Sequence, residues 1–313
     1  MSVTIAIACY NQGHFLADAI ESALAQTRRP DEVIVVDDGS SDDTRDVAGR
    51  FPGVTYIWKA NGGLGSARNA GLANAAGARI LFLDADDTLL PDAVNDGLAA
   101  LAAKPDAAFV HGGYREVDEF RNCLSEHVPQ AQADVFESLL RGNYISMHGT
   151  VMYDTAILRS SGGFDVTLKS CEDYDVLLRL ARSYPVACHS SIAAEYRRHG
   201  GNMTANNARM IRYSRLVLKR HGLHSGLPPR YRAACRAGME FMTGYYADAT
   251  ITQAAALLKR GDWRDAMRSL TAAMRVDPRF ALRVVRRLRR RAGKILGRQA
   301  RGLTGNSTNS FRA

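Results

Sequence analysis

Glu32-Val-Ile-Val-Val-Asp-Asp-Gly-Ser-Ser-Asp42 changes character halfway along. Glu32 to Val36 is an apolar, β-branched run with the composition of a strand, while Asp37 to Ser41 gathers the small polar residues that favour a turn and a helix N-cap. The same change recurs on either side. Upstream, Val3 to Ala8 is short and apolar, and beyond Asn11-Gln-Gly13 the apolar positions become Phe15, Leu16, Ala19, Ile20, Ala23 and Leu24, one face of a helix. Downstream, Val54 to Trp58 predicts a third strand, Ser66 to Ala76 a helix, and Arg79 to Leu83 a fourth strand running into Asp84-Ala-Asp-Asp87. Strands alternating with helices imply an α/β chain whose mostly parallel sheet is covered by helices on both faces. Ligands bind such sheets where the carboxyl ends of the strands open into loops. Cys9 to Asn11, Asp37 to Ser41 and Asp84 to Asp87 all fall at those ends, so three distant segments are expected to meet in one crevice.

Past residue 105 the alternation loosens. Strands are expected at Ala107 to His111, Thr150 to Tyr153, Val186 to His189 and Ala193 to Arg197, with helices near Asp134 to Leu140 and from Glu172 to Arg182. From Ala205 the pattern is helical and rich in Ala and Arg, and Gly261 to Pro278 resembles half of a helical-hairpin repeat, though one copy does not make an array. The expected organisation is a main domain over 1–204, divided into halves at 1–104 and 105–204, followed by a helical extension over 205–313 with a basic arm.

The 313 residues, 46% apolar and 23% charged, have the composition of a folded globular protein. No apolar run approaches the roughly 20 residues that cross a bilayer, and the N-terminal run reads as a strand, not a signal peptide. Cys9, Cys123, Cys171, Cys188 and Cys235 are odd in number and widely spaced, which suggests neither a disulfide framework nor a zinc site and fits a reducing cytoplasm. The net charge of +9 is localised: eleven Lys or Arg and no Asp or Glu lie from Arg279 onward, leaving 30 basic against 32 acidic residues before it.

Asp84-Ala85-Asp86 puts two carboxylates on one short loop after a strand, a hard oxygen site that suits Mg²⁺ or Mn²⁺ shared with phosphate oxygens. The plainer alternative is an Asp-rich turn capping a helix near Pro91. Asn61-Gly-Gly-Leu-Gly65 followed by Ser66-Ala-Arg68 is a glycine loop opening a helix, able to present backbone N–H groups and a cation to an anion. It has the spacing of neither the dinucleotide fingerprint nor the P-loop, and could equally be only a tight loop.

Together these segments resemble glycosyltransferase family 2 with its GT-A fold. The resemblance rests on Ala8-Cys-Tyr-Asn11, Glu32 to Asp42, Asn61 to Gly71 and Leu81 to Asp87, and in the second half on Gly162-Gly-Phe-Asp165, Glu172-Asp-Tyr-Asp175 and Tyr196 to Thr204. It implies that Tyr10 and Asp38 contact the nucleoside base, with Ala8, Asn11, Gly62 and Ala85 also on the donor nucleotide. Arg68 should reach the base or phosphates, Asp84 the ribose, and Asp86 with His199 the metal, Mn²⁺ or Mg²⁺. Asp87 receives no separate role, and the Cys9 thiol is expected to serve packing. Asp173 corresponds to the catalytic base, with His148, Gly163 and Glu172 on the acceptor side; Glu172 could do no more than favour a helix start through its dipole.

The implied reaction is inverting transfer from a nucleoside-diphosphate sugar, a UDP-sugar by family habit, to an acceptor hydroxyl on a saccharide or lipid-linked molecule, as in cell-surface polysaccharide or lipopolysaccharide synthesis. A nucleotidyltransferase would also combine a parallel sheet, a metal and a nucleotide, but its glycine loop would follow the first strand and Asp173 would be idle. A non-catalytic sugar-nucleotide scaffold would be expected to lack Asp86 or Asp173. Val284, Val285, Leu288, Ala292, Ile295 and Leu296 form a narrow apolar stripe among arginines, which suits an interfacial helix on an anionic membrane, here the inner face of the cytoplasmic membrane. A nucleic-acid partner is not expected, because no aromatic residues are interleaved with that charge.

Overall fold

The computed structural model describes residues 1–202, 206–277 and 280–282. A nine-stranded sheet runs in the order β3-β2-β1-β4-β8-β6-β9-β5, with β7 paired to β6 off that path. Strand β1 (Val3–Cys9) lies between β2 (Glu32–Asp37) and β4 (Arg79–Asp84), parallel to both, and β3 (Val54–Trp58) extends β2. Every residue of β1 is buried, as an unbroken apolar run requires when helices cover both sheet faces. Helix α1 (Gly13–Leu24) contributes Leu16, Ala19, Ile20 and Ala23 to the core under one face. Fully burying a Leu or Ile gives about 1.5–3 kcal/mol each, so this stripe alone fixes the helix against the sheet. Helices α2 (Thr44–Ala48) and α3 (Leu64–Asn74) follow β2 and β3, and α3 packs on β1 and β2.

Parallel pairing holds through β3-β2-β1-β4 and gives way to a mixed pattern beyond it. After the two-residue β5 (Thr88–Leu89), α4 (Ala93–Ala103) leads to β6 (Phe109–Val117). A turn at Asp118 then returns the chain as β7 (Cys123–His127), antiparallel to β6. Helix α5 (Val135–Arg141) and a 3₁₀ turn (His148–Thr150) deliver β8 (Val151–Asp154), which inserts antiparallel between β4 and β6. Helices α6 (Thr155–Ser160) and α7 (Glu172–Ala181) precede β9 (Val186–Arg197), parallel to β6 and antiparallel to β5.

The two short strands expected at 186–189 and 193–197 are one. Ser190 and Ser191 are exposed and resemble a turn, but they are absorbed where the β6/β9 register shifts between His111 and Tyr114. Strands β5 and β7 escape the pattern because one has two residues and the other is mostly exposed.

Helices α8 (Asn207–Gly222), α9 (Pro229–Lys259) and α10 (Trp263–Val276) complete the described chain. The described residues fall into two compact units: 1–202 with 213–239, which hold the sheet, and 206–212 with 240–277 and 280–282. In the second, Ala247, Ala273 and Phe280 form a small apolar cluster bordered by Ile251 and Leu270. The stripe from Val284 to Leu296 lies outside the described residues. Among the described residues no helix is long and apolar enough to cross a membrane.

Candidate active site

Register alone brings three loops together. Cys9 pairs with Asp37 and Ala8 with Asp84, so β1, β2 and β4 end level and their loops share one edge. Asn11 adopts the left-handed conformation (φ 52°) that asparagine tolerates better than most residues. Its N–H donates to Ser40 Oγ (2.9 Å) and its Oδ1 accepts from Ser41 N–H (2.8 Å), which joins the first loop to the second. The Ala85 N–H donates to the Ala8 carbonyl (3.1 Å), joining the first loop to the third. Tyr10 stands between them, 51% exposed. Cys9 is buried against Thr44 Oγ1, and burial pushes its thiol up to about 11, which suits packing and not nucleophilic chemistry.

Asp38 builds the glycine loop. Its buried carboxylate accepts from Lys59 Nζ (2.6 Å), Gly62 N–H (3.0 Å) and Gly63 N–H (2.7 Å). These charge-assisted bonds fold the loop back onto β2, so Asp38 fixes the shape of the glycine loop. A Cβ on Gly62 would come within 2.6 Å of Ser66 Oγ, so the close approach requires glycine. Asp37, one position earlier, accepts from Ser40 N–H (2.7 Å) and Tyr56 Oη (2.6 Å) and is equally structural.

Arg68 is buried, and its guanidinium is held by two carboxylates. Nη2 reaches Asp84 Oδ1 (2.8 Å), Nη1 reaches Glu172 Oε1 (2.9 Å), and the group lies 5.7 Å from the Phe164 ring centroid. Burial would strip its charge, but Asp84 and Glu172 outweigh that and hold it protonated. Glu172 feels the opposite balance: burial pushes its carboxyl up to about 7, against the pull of Arg68 and with the help of neighbouring Asp173. Through Arg68, Glu172 ties the start of α7 to α3 and to the Asp84 loop, so it does more than favour a helix start.

Asp86 sits at the centre of a second cluster. One oxygen, Oδ2, meets His199 Nε2 (2.9 Å), Gln12 Nε2 (3.0 Å) and Asn202 Nδ2 (3.3 Å). Asp87, deeply buried and pushed well up by burial and by Asp86, accepts the Arg197 N–H (3.0 Å) and so ties the aspartate loop to the end of β9 just before His199. Among the described residues no group of three or more His, Cys, Asp or Glu closes a metal cage. One carboxylate and one imidazole in contact do fit a divalent ion that takes its other ligands from a diphosphate and water.

Asp173 lies in the first turn of α7, half-buried, with its Oδ1 accepting Tyr174 N–H (2.7 Å). Its charge is felt by Arg68, Asp84 and Glu172, so it belongs to the same neighbourhood. Asp175 faces elsewhere, bound to His221 Nε2 (2.9 Å) and Arg220 (3.2 Å). Gly163 has φ 63°, and a Cβ there would lie 2.5 Å from Asn69 Oδ1. That closeness lets the Asn69 amide bond both the N–H and the carbonyl of Phe164 (2.8 Å each), clamping the loop before α7 onto α3. Gly163 is thus a packing point between the halves.

His148, expected to line an acceptor cleft, is instead interior. It is 6% exposed, stacks on Phe82 at 5.6 Å, and its Nε2 bonds Tyr153 Oη (2.8 Å). Burial, then Arg68, holds it well below the usual histidine range and keeps it neutral. Sequence reading missed Gln12 and assigned Asn202 no role. Both are side-chain amides in loops, with no pattern beyond adjacency to Asn11 and His199.

A model of Glycosyl transferase family 2 matches residues 4–160. An uncharacterized glycosyltransferase of Rickettsia prowazekii is 30% identical over 208 residues, spanning 64% of this chain and 65% of that protein. Chondroitin synthase of Escherichia coli is 30% identical over 204 residues, 64% of this chain but 29% of its own length. This chain therefore corresponds to only part of the relatives it matches. Among solved structures, S. aureus TarS 1–349 in complex with UDP-GlcNAc aligns with a TM-score of 0.61 and 20% identity, over 89% of this chain and 83% of that one. The mannosyltransferase PcManGT from Pyrobaculum calidifontis, in complex with GDP-Man and Mn²⁺, aligns with 0.59 and 19%, over 89% and 86%. At those identities the likeness is one of fold.

Proposed function

The chain belongs to glycosyltransferase family 2 and has its GT-A fold, and on that premise we propose that it transfers a sugar, with inversion, from a UDP-sugar to an acceptor hydroxyl. The observation that carries this reading is Arg68, whose one guanidinium grips Asp84 of the donor loop and Glu172 beside Asp173. That link supports reading Asp173, the neighbour of Glu172, as a base beside the loop that would hold the donor. The names of the structural neighbours, with UDP-GlcNAc in one and GDP-Man with Mn²⁺ in the other, support a nucleoside-diphosphate sugar as the donor class.

Tyr10 offers a ring face to the base, while Ala8, Asn11, Ala85 and the Gly62 loop shaped by Asp38 border the nucleotide. Asp84 keeps one oxygen on Arg68 and can offer the other to the ribose. Asp86 and His199 would hold Mn²⁺ or Mg²⁺, which when bound supplies positive charge opposite the leaving diphosphate. Asp173 accepts the acceptor's hydroxyl proton as that oxygen bonds to the anomeric carbon and the bond to the diphosphate breaks. Electron pairs balance in this single displacement, and no covalent enzyme intermediate forms. His148 and Gly163 act from within by fixing the wall against which the acceptor loop packs.

In this reading residues 1–204 perform the transfer, with 1–104 on the donor and 105–204 on the acceptor, and 205–313 form an extension. Its basic arm, with the apolar stripe from Val284 to Leu296, would bring the enzyme to the inner face of an anionic membrane and to a saccharide or lipid-linked acceptor of surface polysaccharide synthesis. The test is a screen of sugar nucleotides for release of free nucleoside diphosphate, with and without Mn²⁺. Metal-dependent UDP release supports the reading. Release of inorganic pyrophosphate from a nucleoside triphosphate would replace it with nucleotidyl transfer, and donor binding without turnover on any acceptor would favour a scaffold.

A further inference from the structure

Helix α10 wears its large apolar residues on the outside. Its inward face is small: Ala266 and Ala273 are fully buried, with Leu270 beside them. Its solvent face carries Trp263 at 59% exposure, Met267 at 52% and Met274 at 42%. A surface helix ordinarily shows the reverse arrangement. Residues 263, 267 and 274 fall on one stripe by helical spacing, and Arg264, Arg268 and Arg275 repeat that spacing one position along, forming a second stripe parallel to the first. Trp263, Arg264, Met267, Arg268 and Arg275 border a single shallow depression, and the Arg264 guanidinium lies 5.4 Å from the Trp263 ring centroid.

We propose that this face of α10 seats on an anionic lipid surface, with Trp263 and Met267 entering at headgroup depth and the three arginines meeting lipid phosphates and carboxylates. Parallel apolar and cationic stripes on one helix are what interfacial binding requires, because apolar burial and attraction to acidic lipid then act together. Tryptophan, apolar at one end with an N–H at the other, favours that boundary. Charge selects the occupant. From Lys259 to Arg275 five basic side chains face two acidic ones, Asp262 and Asp265. The ion pair of Asp265 with Arg268 at 2.9 Å is exposed and therefore weak. Covering the stripe with this chain's own tail is disfavoured, since the eleven basic residues from Arg279 onward would be repelled by the same arginines. The site is distinct from the arm at 284–296, and it rests neither on that arm nor on the sugar-transfer reading.

The chain has two tryptophans, so Trp58→Phe in the full-length protein leaves Trp263 as the sole reporter. Its emission is recorded at low salt with vesicles of phosphatidylglycerol and phosphatidylcholine, and with phosphatidylcholine alone. The expected result is a blue shift and protection from iodide quenching with the acidic vesicles only. Arg264→Gln/Arg268→Gln/Arg275→Gln, all exposed and so harmless to the core, should weaken partitioning roughly 100-fold, following the usual gain per basic residue near an acidic surface. Circular dichroism confirms that this variant folds. Co-sedimentation with acidic vesicles while Trp263 emission and quenching stay unchanged would assign binding to the arm and overturn the proposal. No association, an equal shift with neutral vesicles, or the same shift on adding single-stranded DNA would also overturn it.

Discussion

Replacing Arg68 with Met should destabilise the sheet-bearing unit by about 3–5 kcal/mol, the usual cost of removing one partner from a buried ion pair. The magnitude follows from what remains. Met fills much of the stem's volume against Phe164, so little packing is lost, but Asp84 and Glu172 are left facing each other with no cation between them. For a unit of this size, roughly 2–4 °C of melting temperature per kcal/mol converts the loss to a drop on the order of 10 °C. Urea unfolding at pH 7, followed by circular dichroism, measures it. Glu172→Gln should cost less, since Arg68 keeps Asp84, and combining the two changes should cost less than their sum because the double variant retains one carboxylate in place of two. A loss below about 1 kcal/mol for Arg68→Met, or strict additivity in the cycle, would refute the reasoning, because it would mean that Arg68 is not the counter-charge to both acids.

Glu172 also gives a pH signature. Its folded carboxyl is pushed up from 4.5 to about 7, so the folded state holds a proton that the unfolded state has lost, and stability falls as pH rises across that window. Glu172→Gln should flatten that slope relative to wild type in thermal melts between those limits; an unchanged slope refutes the assignment. Asp86→Ala should abolish Mn²⁺-dependent binding of UDP in calorimetry while circular dichroism shows the protein still folded, and unaltered metal dependence would remove Asp86 and its contact with His199 from the site. Asp173→Asn should keep donor affinity and lower the transfer rate by roughly 10²- to 10⁴-fold at saturating substrates, whereas near-normal turnover would show that another group takes the proton.

The first four strands were legible because their signals are local. Strands buried on both faces read as unbroken apolar runs, and each ends in a polar cluster that register aligns with its neighbours, as Cys9 with Asp37 and Ala8 with Asp84. The mixed half was less so. Strand β7 has no apolar alternation to detect, and the Ser190-Ser191 pair looks like a turn until the strand partner that absorbs it is known. Side-chain pairing was the least legible. Arg68 and Glu172 lie 104 residues apart, and nothing in either segment says that a phosphate-facing arginine will instead be drawn into a buried carboxylate pair. His148 was expected on the acceptor side, but its stacking on Phe82 depends on where β8 inserts, a long-range fact.

The most direct test of the account is diffraction from crystals grown with UDP and Mn²⁺, using the anomalous signal of manganese to place the ion. One strong peak is expected, bonded to the Asp86 carboxylate and the His199 imidazole and to the diphosphate oxygens, with the uracil against Tyr10 and the Gly62 loop. A manganese peak away from Asp86, or UDP bound anywhere but the shared edge of β1, β2 and β4, would contradict it.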